Sequence, residues 1–592
     1  MKNDIILRGI AASPGIAIGP AFLFEERSIL LEGALQPVRD IDKEIKKFKT
    51  AIRKSKKELE DIKRNLVKKL GLTKANFLDV QILALEDTWI FDETIKRIRE
   101  EKKEAIQAVK EISKGLLAKF KEIDDPYLKE RACDIKDVTK RIIKNLIDKK
   151  DKAISFPEKM IILVANNLSP SDTAQLEKEK VLAFLTDLGG RTSHTAIMAR
   201  ALEIPAVVAL REITDNIFAG VKIIVDGYAG VAVVNPTEKT LKNFEEKRNH
   251  LLDIEKELLG LRDLPATTVD GYTIDLSANI EFTSDVDSAK NHGARGIGLY
   301  RTEFLYLTQM ELPDEELQFK IYKNVVDKIY PETVIFRTLD LGGDKIFDNT
   351  APEPNPFLGW RAIRFSLKRK DIFKTQLRAI LRASYRKSVR IMFPMITDLN
   401  EVKEAKRIVR EVADELDKKG IKYDRELEIG IMVEVPSVAI LADEFAKEAD
   451  FFSIGTNDLT QYLLAVDRTN ELVASLYDHL HPSVLRTIKI IVESAHRNSK
   501  WVGVCGEIAG DPLAIPVLLG LGVDELSAAP IVIPEVKKVI RTLSLKESKE
   551  IANKCIGFST SKEVRNFLRD IINTKLTAIK ELILGEDYTK KK

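Results

Sequence analysis

The stretch GIGLYRTE, Gly296 to Glu303, runs from a short apolar segment straight into Arg301 and Glu303. Short β-rich apolar runs bounded by turn signals are the pattern of strands buried on both faces. The pattern recurs on either side of this one. IDLSANI precedes it, and VIFRTLD, IMFPMI, IGIMVEV, FFSIGTND, WVGVCGE and ELSAAP follow, alternating with helical stretches. Eight strand candidates beyond about residue 265 predict a (β/α)8 barrel, which closes at that number. Six of them end in residues with chemistry of their own: Arg301 and Glu303, Arg337 and Asp340, Met395, Glu434, Asn457 and Asp458, Cys505 and Glu507. Barrel active sites are assembled at the C-terminal ends of the strands, and a barrel kept for stability alone has no need of charge there.

The residue types at those ends point to an anion. Arg301, Arg337 and Arg468 can converge on a phosphate or carboxylate, with Lys345 of GGDK nearby, because the guanidinium fork matches both groups. Glu434 and Asp458 are hard oxygen ligands suited to one Mg2+, which takes one or two carboxylates and completes its shell with substrate oxygens and water. Cys505 has two readings. In an apolar strand it packs as an inert thiol, and at a strand end beside anion-binding groups it donates a proton.

A second motif lies in the other half of the chain. GGRTSHTAIMAR, Gly189 to Arg200, passes from a polar turn into an apolar helix, with His194 at the junction. Helix starts present unpaired N–H groups that favour anions, and Gly189 and Gly190 let backbone approach a phosphate that Arg191 can grip. His194 is then a ligand to the phosphate or the nucleophile that carries it. The alternative is that Thr192 or Ser193 caps the helix and His194 packs into the core.

The rest of the chain organises around these two motifs. At 592 residues it is too long for one core, and about two to four domains are expected. Hydrophobic residues at 44%, charged residues at 32% and a formal net charge of +3 describe an ordinary globular chain with no basic excess for nucleic acid. The charged fraction stands towards the heat-adapted side of that range. Three cysteines without paired spacing argue against disulfides or structural zinc and for a reducing cytoplasm. The uncharged run from Gly9 to Phe24 imitates a signal peptide, but its prolines and glycines break it into strand, turn and strand. PLAIPVLLGLGV, after Asp511, is too short and glycine-rich to cross a bilayer, so no membrane insertion is expected.

Apolar residues recur at helical intervals through Ile41–Leu66, Ile90–Leu116 and Ile135–Leu146, and the lysine run KEIKKFKTAIRKSKK is the solvated face of the first helix. MIILVA, VLAFLTD, AVVAL, VKIIVDG and GVAVVNP read as strands of a β/α domain that shares its character with the N-terminus. The expected architecture is multidomain α/β. A β/α domain of residues 1–35 and 149–235 carries His194 and is interrupted by a helical insertion, 36–148. A helical linker, 236–264, leads to the barrel, 265–575, and a tail, 576–592.

The quoted blocks GGRTSHTAIMARALEIPAVV, GIGLYRTEFLY, RTLDLGGDK, NPFLGWRAIR, IGIMVEVPS, FSIGTNDLTQY and GVCGEIAGDP together resemble the signatures of phosphoenolpyruvate-utilising enzymes. ASPGIAIGPAF and LKERACDIKDVTKRI narrow the resemblance to the Enzyme I group of the bacterial sugar phosphotransferase system, along essentially the whole chain. The resemblance implies that His194 accepts the phosphoryl group of phosphoenolpyruvate and passes it to a histidine of the carrier HPr, opening the route of sugar uptake. It implies substrate binding by Arg301, Arg337, Asn457, Asp458, Arg468, Lys345 and Arg361, Mg2+ on Glu434 and Asp458, and Cys505 as proton donor to the enolate carbon. Thr173 would hydrogen-bond the active histidine, with Gly189, Gly190 and Arg191 supporting it. The helical insertion would dock HPr, the β/α domain would swivel about the linker, and the barrel would form a homodimer. One departure is Gln81 of LDVQ, where many members have histidine, which bears on carrier contact and regulation.

Two rival readings differ in class. Pyruvate phosphate dikinase and phosphoenolpyruvate synthase share the histidine domain and barrel but need a nucleotide-binding domain, for which this sequence shows no space. A non-catalytic regulatory scaffold of the same fold would have no reason to keep His194, three arginines, two carboxylates and a cysteine together.

Overall fold

The computed structural model describes every residue except 1–3, 25–39, 71–84, 86–87, 123–137, 140, 144, 147–159, 167, 169–179, 191–194, 197–198, 200–203, 218–219, 308–311, 343–354, 469, 471, 577–579 and 581–592. The chain divides into two compact units between Leu252 and Asp253.

In the first unit, strands β1 (Ile5–Arg8), β2 (Ile10–Ser13), β3 (Ile16–Leu23), β4 (Ile161–Ala165), β5 (Val181–Thr186), β6 (Ala206–Val208), β7 (Lys222–Asp226) and β8 (Val231–Val234) form one mixed sheet in the order β1-β8-β7-β3-β4-β5-β6-β2. The uncharged run Gly9–Phe24 is thus strand, turn and strand. Side chains alternate across a strand, so a strand apolar throughout feeds two cores. On β4, Ile162 and Val164 join Ala183, Leu185 and Val207 on one face, while Ile161, Leu163 and Ala165 join Phe184, Ala206 and Val208 on the other.

Between β3 and β4 the chain leaves the sheet for helices α1 (Ile41–Leu70), α2 (Thr88–Glu100) and α3 (Ala105–Glu122). Ile45, Phe48 and Leu59 of α1 pack with Ile98, Val109, Val138 and Ile142. Lys43, Lys46, Lys47, Lys49, Lys54 and Lys57 stay exposed on the opposite side, as a solvated face requires. The continuous periodicity from Ile90 to Leu116 is broken in the structure at Glu101–Glu104. Four charged residues there offer nothing to a core, Lys102 turns left-handed at φ 50°, and Glu44 of α1 accepts the Ala105 N–H at 2.9 Å to start α3 afresh.

Helix α4 (Glu238–Leu259) crosses the division between the units. Its first half is fastened to the sheet: Phe244 packs with Ile224, Val231 and Val233, and Lys247 pairs with buried Asp226 at 2.7 Å. Its end is fastened within the second unit by Glu257 and Lys538, 2.5 Å apart.

The second unit is a closed parallel barrel of β9 (Asp275–Ile280), β10 (Ile297–Arg301), β11 (Val334–Arg337), β12 (Val389–Phe393), β13 (Ile429–Val433), β14 (Phe451–Ile454), β15 (Trp501–Val504) and β16 (Glu525–Ala528). Seven of them fall inside the runs read as strands, β12 begins two residues before its run at Val389, and β16 closes on β9 with Glu525 opposite Asp275. Leu299, Ile335, Met392, Met432, Phe451 and Cys505, from successive strands or their ends, fill the interior with Trp501. Burying such a side chain is worth about 1.5–3 kcal/mol over leaving it in water. Outside the strands lie α5 (Glu315–Ile329), α6 (Lys370–Ser384) and α7 (Leu399–Lys418), and α8 (Thr456–Leu464) opens directly from β14. Among the described residues no helix is long and apolar enough to cross a membrane.

Candidate active site

Arg301 and Arg337 are the last residues of β10 and β11 and sit opposite each other in register. Glu434 and Cys505 stand one residue beyond β13 and β15, and Asn457 and Asp458 occupy the first turn of α8. The C-terminal end of the barrel thus carries Arg301, Arg337, Glu434, Asn457, Asp458 and Cys505.

Arg337 is held from two sides. Nη2 donates to Glu303 Oε1 at 2.6 Å, and Nη1 lies 3.1 Å from Asp340 Oδ2. Asp340 Oδ1 accepts from Arg361 Nε and Nη2 at 3.1 and 2.7 Å. Arg361 Nη2 in turn stands 4.0 Å from Asp458 Oδ2, and Arg468 Nη2 stands 3.7 Å from Asp458 Oδ1. Arg301 reaches sideways to Glu281 at 2.8 Å. Burial works against the charge on Arg337, but Glu303, Asp340 and Glu434 outweigh it and keep the guanidinium ionised. Burial likewise works against Asp340, and Arg337 and Arg361 hold its carboxyl below the usual range.

Glu434 is 1% exposed, and its Oε1 accepts the Met395 N–H at 2.5 Å. That explains Met395: its backbone takes a left-handed turn, φ 55°, aiming the amide at the carboxylate. Gly455 makes room on the other side, since a Cβ there would lie 2.8 Å from Glu434 Oε2. Burial, and then the charges of Asp458 and Asp340, push the Glu434 carboxyl well above its usual range. Arg337 Nε, Thr338 Oγ1, Thr456 Oγ1 and Asp458 Oδ1 are buried without a hydrogen-bond partner. Orphaned polar atoms are rare in protein interiors, and a bound ligand or water at this end of the barrel would complete the set. Two buried carboxylates, one with an oxygen that lacks a hydrogen-bond partner, fit a divalent cation bound partly by substrate and water. Among the described residues no cluster of three or more metal-ligating side chains occurs, so the pair does not form a closed protein cage.

Cys505 is 3% exposed, and its thiol points towards Ile454 O at 3.8 Å. Burial pushes the thiol up to about 11, against the pull of Ser453 and Arg337, so it stays protonated at neutral pH. Asn457 is committed structurally: its Oδ1 accepts the Glu507 N–H at 2.8 Å and its carbonyl accepts the Tyr477 hydroxyl at 3.2 Å. That ties α8 to the segment following β15.

His194, Arg191, Thr173, Lys345 and Gln81 lie outside the described residues. The approach to His194 is described. Gly189, three residues beyond β5, has φ 118°, a conformation that requires glycine. Asp187, 2% exposed, anchors that exit by accepting the Ile213 N–H at 2.5 Å and the Thr214 hydroxyl.

Comparisons with known proteins bear on both halves of the chain. Family models described as "PEP-utilising enzyme, N-terminal", "PEP-utilising enzyme, mobile domain" and "PEP-utilising enzyme, PEP-binding domain" match residues 8–131, 157–230 and 255–545. The phosphoenolpyruvate-protein phosphotransferase of Bacillus subtilis (strain 168) is 45% identical over 566 residues, covering 95% of this chain and 99% of that one. The chain belongs to the phosphoenolpyruvate-protein phosphotransferase family. Another member, from Staphylococcus carnosus (strain TM300), is 44% identical over 95% of this chain and 98% of its own. A solved Enzyme I structure is 41% identical, spans 41% of this chain and 98% of its own, and superposes with a TM-score of 0.36, too low to bear on the fold.

For a phosphoenolpyruvate-protein phosphotransferase family member, the pocket holds more than the expected residues. Glu303 and Asp340 were visible only as charges at strand ends, yet they orient Arg337 and Arg361. Their spacing carried a faint signal, since Asp340 follows Arg337 by three residues across a strand exit. The turn at Met395 left no trace in residue type. Glutamate, not glycine, dictates it.

Proposed function

We propose that this chain transfers the phosphoryl group of phosphoenolpyruvate to His194, releasing pyruvate, and then to a histidine of HPr, the first step of phosphotransferase-dependent sugar uptake. The observation that carries the reading is the full-length kinship: 45% identity across 99% of a named phosphoenolpyruvate-protein phosphotransferase. The four arginines gathered at the barrel's C-terminal end support it, because phosphoryl transfer needs positioning and charge neutralisation more than covalent help.

Arg301, Arg337, Arg361 and Arg468, with Lys345, receive the trianionic substrate. A neutral His194 nitrogen forms a bond to phosphorus as the bond from phosphorus to the enol oxygen breaks, and the electron pair leaves with the oxygen. Cys505 gives its proton to the enolate carbon, producing pyruvate, and regains one from solvent. A thiol still protonated at neutral pH suits that role. An imidazole of HPr then attacks phosphorus, and neutral His194 is restored. Glu434 and Asp458 would hold Mg2+, which supplies positive charge for the phosphate and carboxylate oxygens of the substrate. Thr173, Gly189, Gly190 and Arg191 hold the loop of the active histidine, and the helical insertion receives HPr.

The carrier imidazole and the substrate pocket belong to different units, so the unit bearing His194 visits each partner in turn, hinged about residues 236–264. A homodimer through the barrel is supported by exposed apolar side chains in its connecting segments. Ile440, 80% exposed, lies in the segment between β13 and β14, and Leu472, 89% exposed, lies beyond α8. The cysteine usage of a reducing compartment supports a cytoplasmic site of action. Incubation with HPr, phosphoenolpyruvate and Mg2+ tests the activity: one pyruvate accompanies each phosphorylated HPr, and pyruvate release without phosphorylated HPr contradicts it.

A further inference from the structure

One buried amide connects the strand exits that carry the pocket's arginines. Gln376, on α6, is fully buried. Its Oε1 accepts the Leu339 N–H at 3.0 Å, and its Nε2 donates to Thr302 Oγ1 at 3.0 Å and to the Tyr322 hydroxyl at 3.4 Å. Thr302 Oγ1 donates onward to the Arg337 carbonyl at 2.9 Å. The network then runs outward: the Tyr322 and Tyr306 hydroxyls donate to Gln318 Oε1 at 3.1 and 3.2 Å, and Gln318 Nε2 donates to the Pro313 carbonyl at 2.8 Å.

The placement of these bonds decides their meaning. Beyond β11 the sheet ladder ends where the Thr338 N–H donates to the Met392 carbonyl at 3.0 Å. The next amide, Leu339, finds its acceptor in a helix side chain. Leu339 lies between Arg337 and Asp340, and Thr302 lies between Arg301 and Glu303. Those four residues frame the pocket, and one carboxamide fixes the backbone next to each pair. Only a group with an acceptor and two donors on one rigid plane can do this. Glutamate lacks the donors when ionised, asparagine is one carbon short, and methionine fills the volume without bonding.

We infer that Gln376 is a positioning residue for the phosphoenolpyruvate pocket, locking the exits of β10 and β11 in the register that presents Arg301 and Arg337 together to the anion. The inference rests on the function proposed above. Its loss loosens the grip on bound substrate and leaves His194 and Cys505 untouched, so it falls on KM more than on kcat.

Pyruvate release by the full-length chain with HPr measures both constants. Displacing binding groups by a fraction of an ångström costs factors of ten, so Gln376→Met raises KM for phosphoenolpyruvate about tenfold and changes kcat less than about threefold. Thr302→Val cuts the same link from the strand side and raises KM alike, and the double variant is no worse than the more affected single one. Tyr322→Phe removes only the outer arm and leaves KM unchanged. An unchanged KM in Gln376→Met overturns the inference, and so does an equal rise in Tyr322→Phe, which would make KM a reporter of general packing. Should Gln376→Met not fold, Thr302→Val decides by the same criterion. A parent chain that releases no pyruvate refutes the proposed function itself, whereas an active parent with an unresponsive Gln376→Met refutes this inference alone.

Discussion

Cys505 shows how one side chain serves packing and chemistry at once. It belongs to the barrel's apolar interior with Met392 and Met432, and the burial that makes it a good core residue also keeps its proton on. The thiolate is the species that reacts with alkylating agents, so with the thiol raised to about 11 the iodoacetamide rate at Cys505 keeps climbing to about pH 11. Mass-spectrometric rates that level off between pH 8 and 9 would contradict it. General acids contribute roughly 10²–10⁴-fold, so Cys505→Ala slows pyruvate release by about that factor while single-turnover labelling of His194 persists. The strand-end residues Arg301, Arg337, Glu434 and Asp458 were legible in sequence because each follows an apolar run at a known place in a barrel. Arg361 was named only through resemblance. Its contact with Asp340 joins residues 21 apart in the sequence, and nothing in the local pattern encodes that meeting.

Helix α6 carries cations at every fourth position, Lys370, Lys374, Arg378 and Arg382, and so along one face. Lys370 meets Glu404 at 2.7 Å, and Lys374 meets Glu411 and Glu415 at 3.0 and 3.3 Å. Arg378 bridges Glu315 and Glu415 at 2.7 and 3.1 Å, and Arg382 meets Glu315 and Glu316, both at 2.6 Å. The ladder joins α5, α6 and α7, and networks of this kind outperform isolated surface pairs as temperature rises. Arg378→Met therefore lowers the melting temperature of the barrel unit by a few degrees at low salt, from a loss of about 1 kcal/mol, and by less in 1 M NaCl. A shift of the same size at both ionic strengths, read by calorimetry, would assign the effect to packing instead. At this scale the sequence was legible wherever a period persisted, as in α1 and the eight barrel strands. It misled where the period continued across a physical break. Nothing in the spacing of Ile98 and Ile106 reveals that Lys102 turns left-handed between two helices.

For the molecule as a whole, the two units and the helix between them frame the function. Helix α4 is bound in its first half through Lys247 and Asp226 and at its end through Glu257 and Lys538, and the proposed swivel places its hinge along this helix. Crosslinking the linker rigidly in one orientation abolishes one half-reaction, either labelling of His194 by phosphoenolpyruvate or its discharge to HPr, and spares the other. Loss of neither removes the swivel. The architecture was readable because eight strand-like runs and an interrupted β/α pattern are global features of the order of elements. The proposed function stands or falls on His194 as the carrier of a phosphoryl group drawn from phosphoenolpyruvate. The most direct test incubates the purified chain with phosphoenolpyruvate labelled in its phosphoryl group and Mg2+, without ATP. Acid-labile, base-stable label on His194 that vanishes in His194→Ala is the expected result. Label that requires ATP, or that persists in His194→Ala, would contradict it.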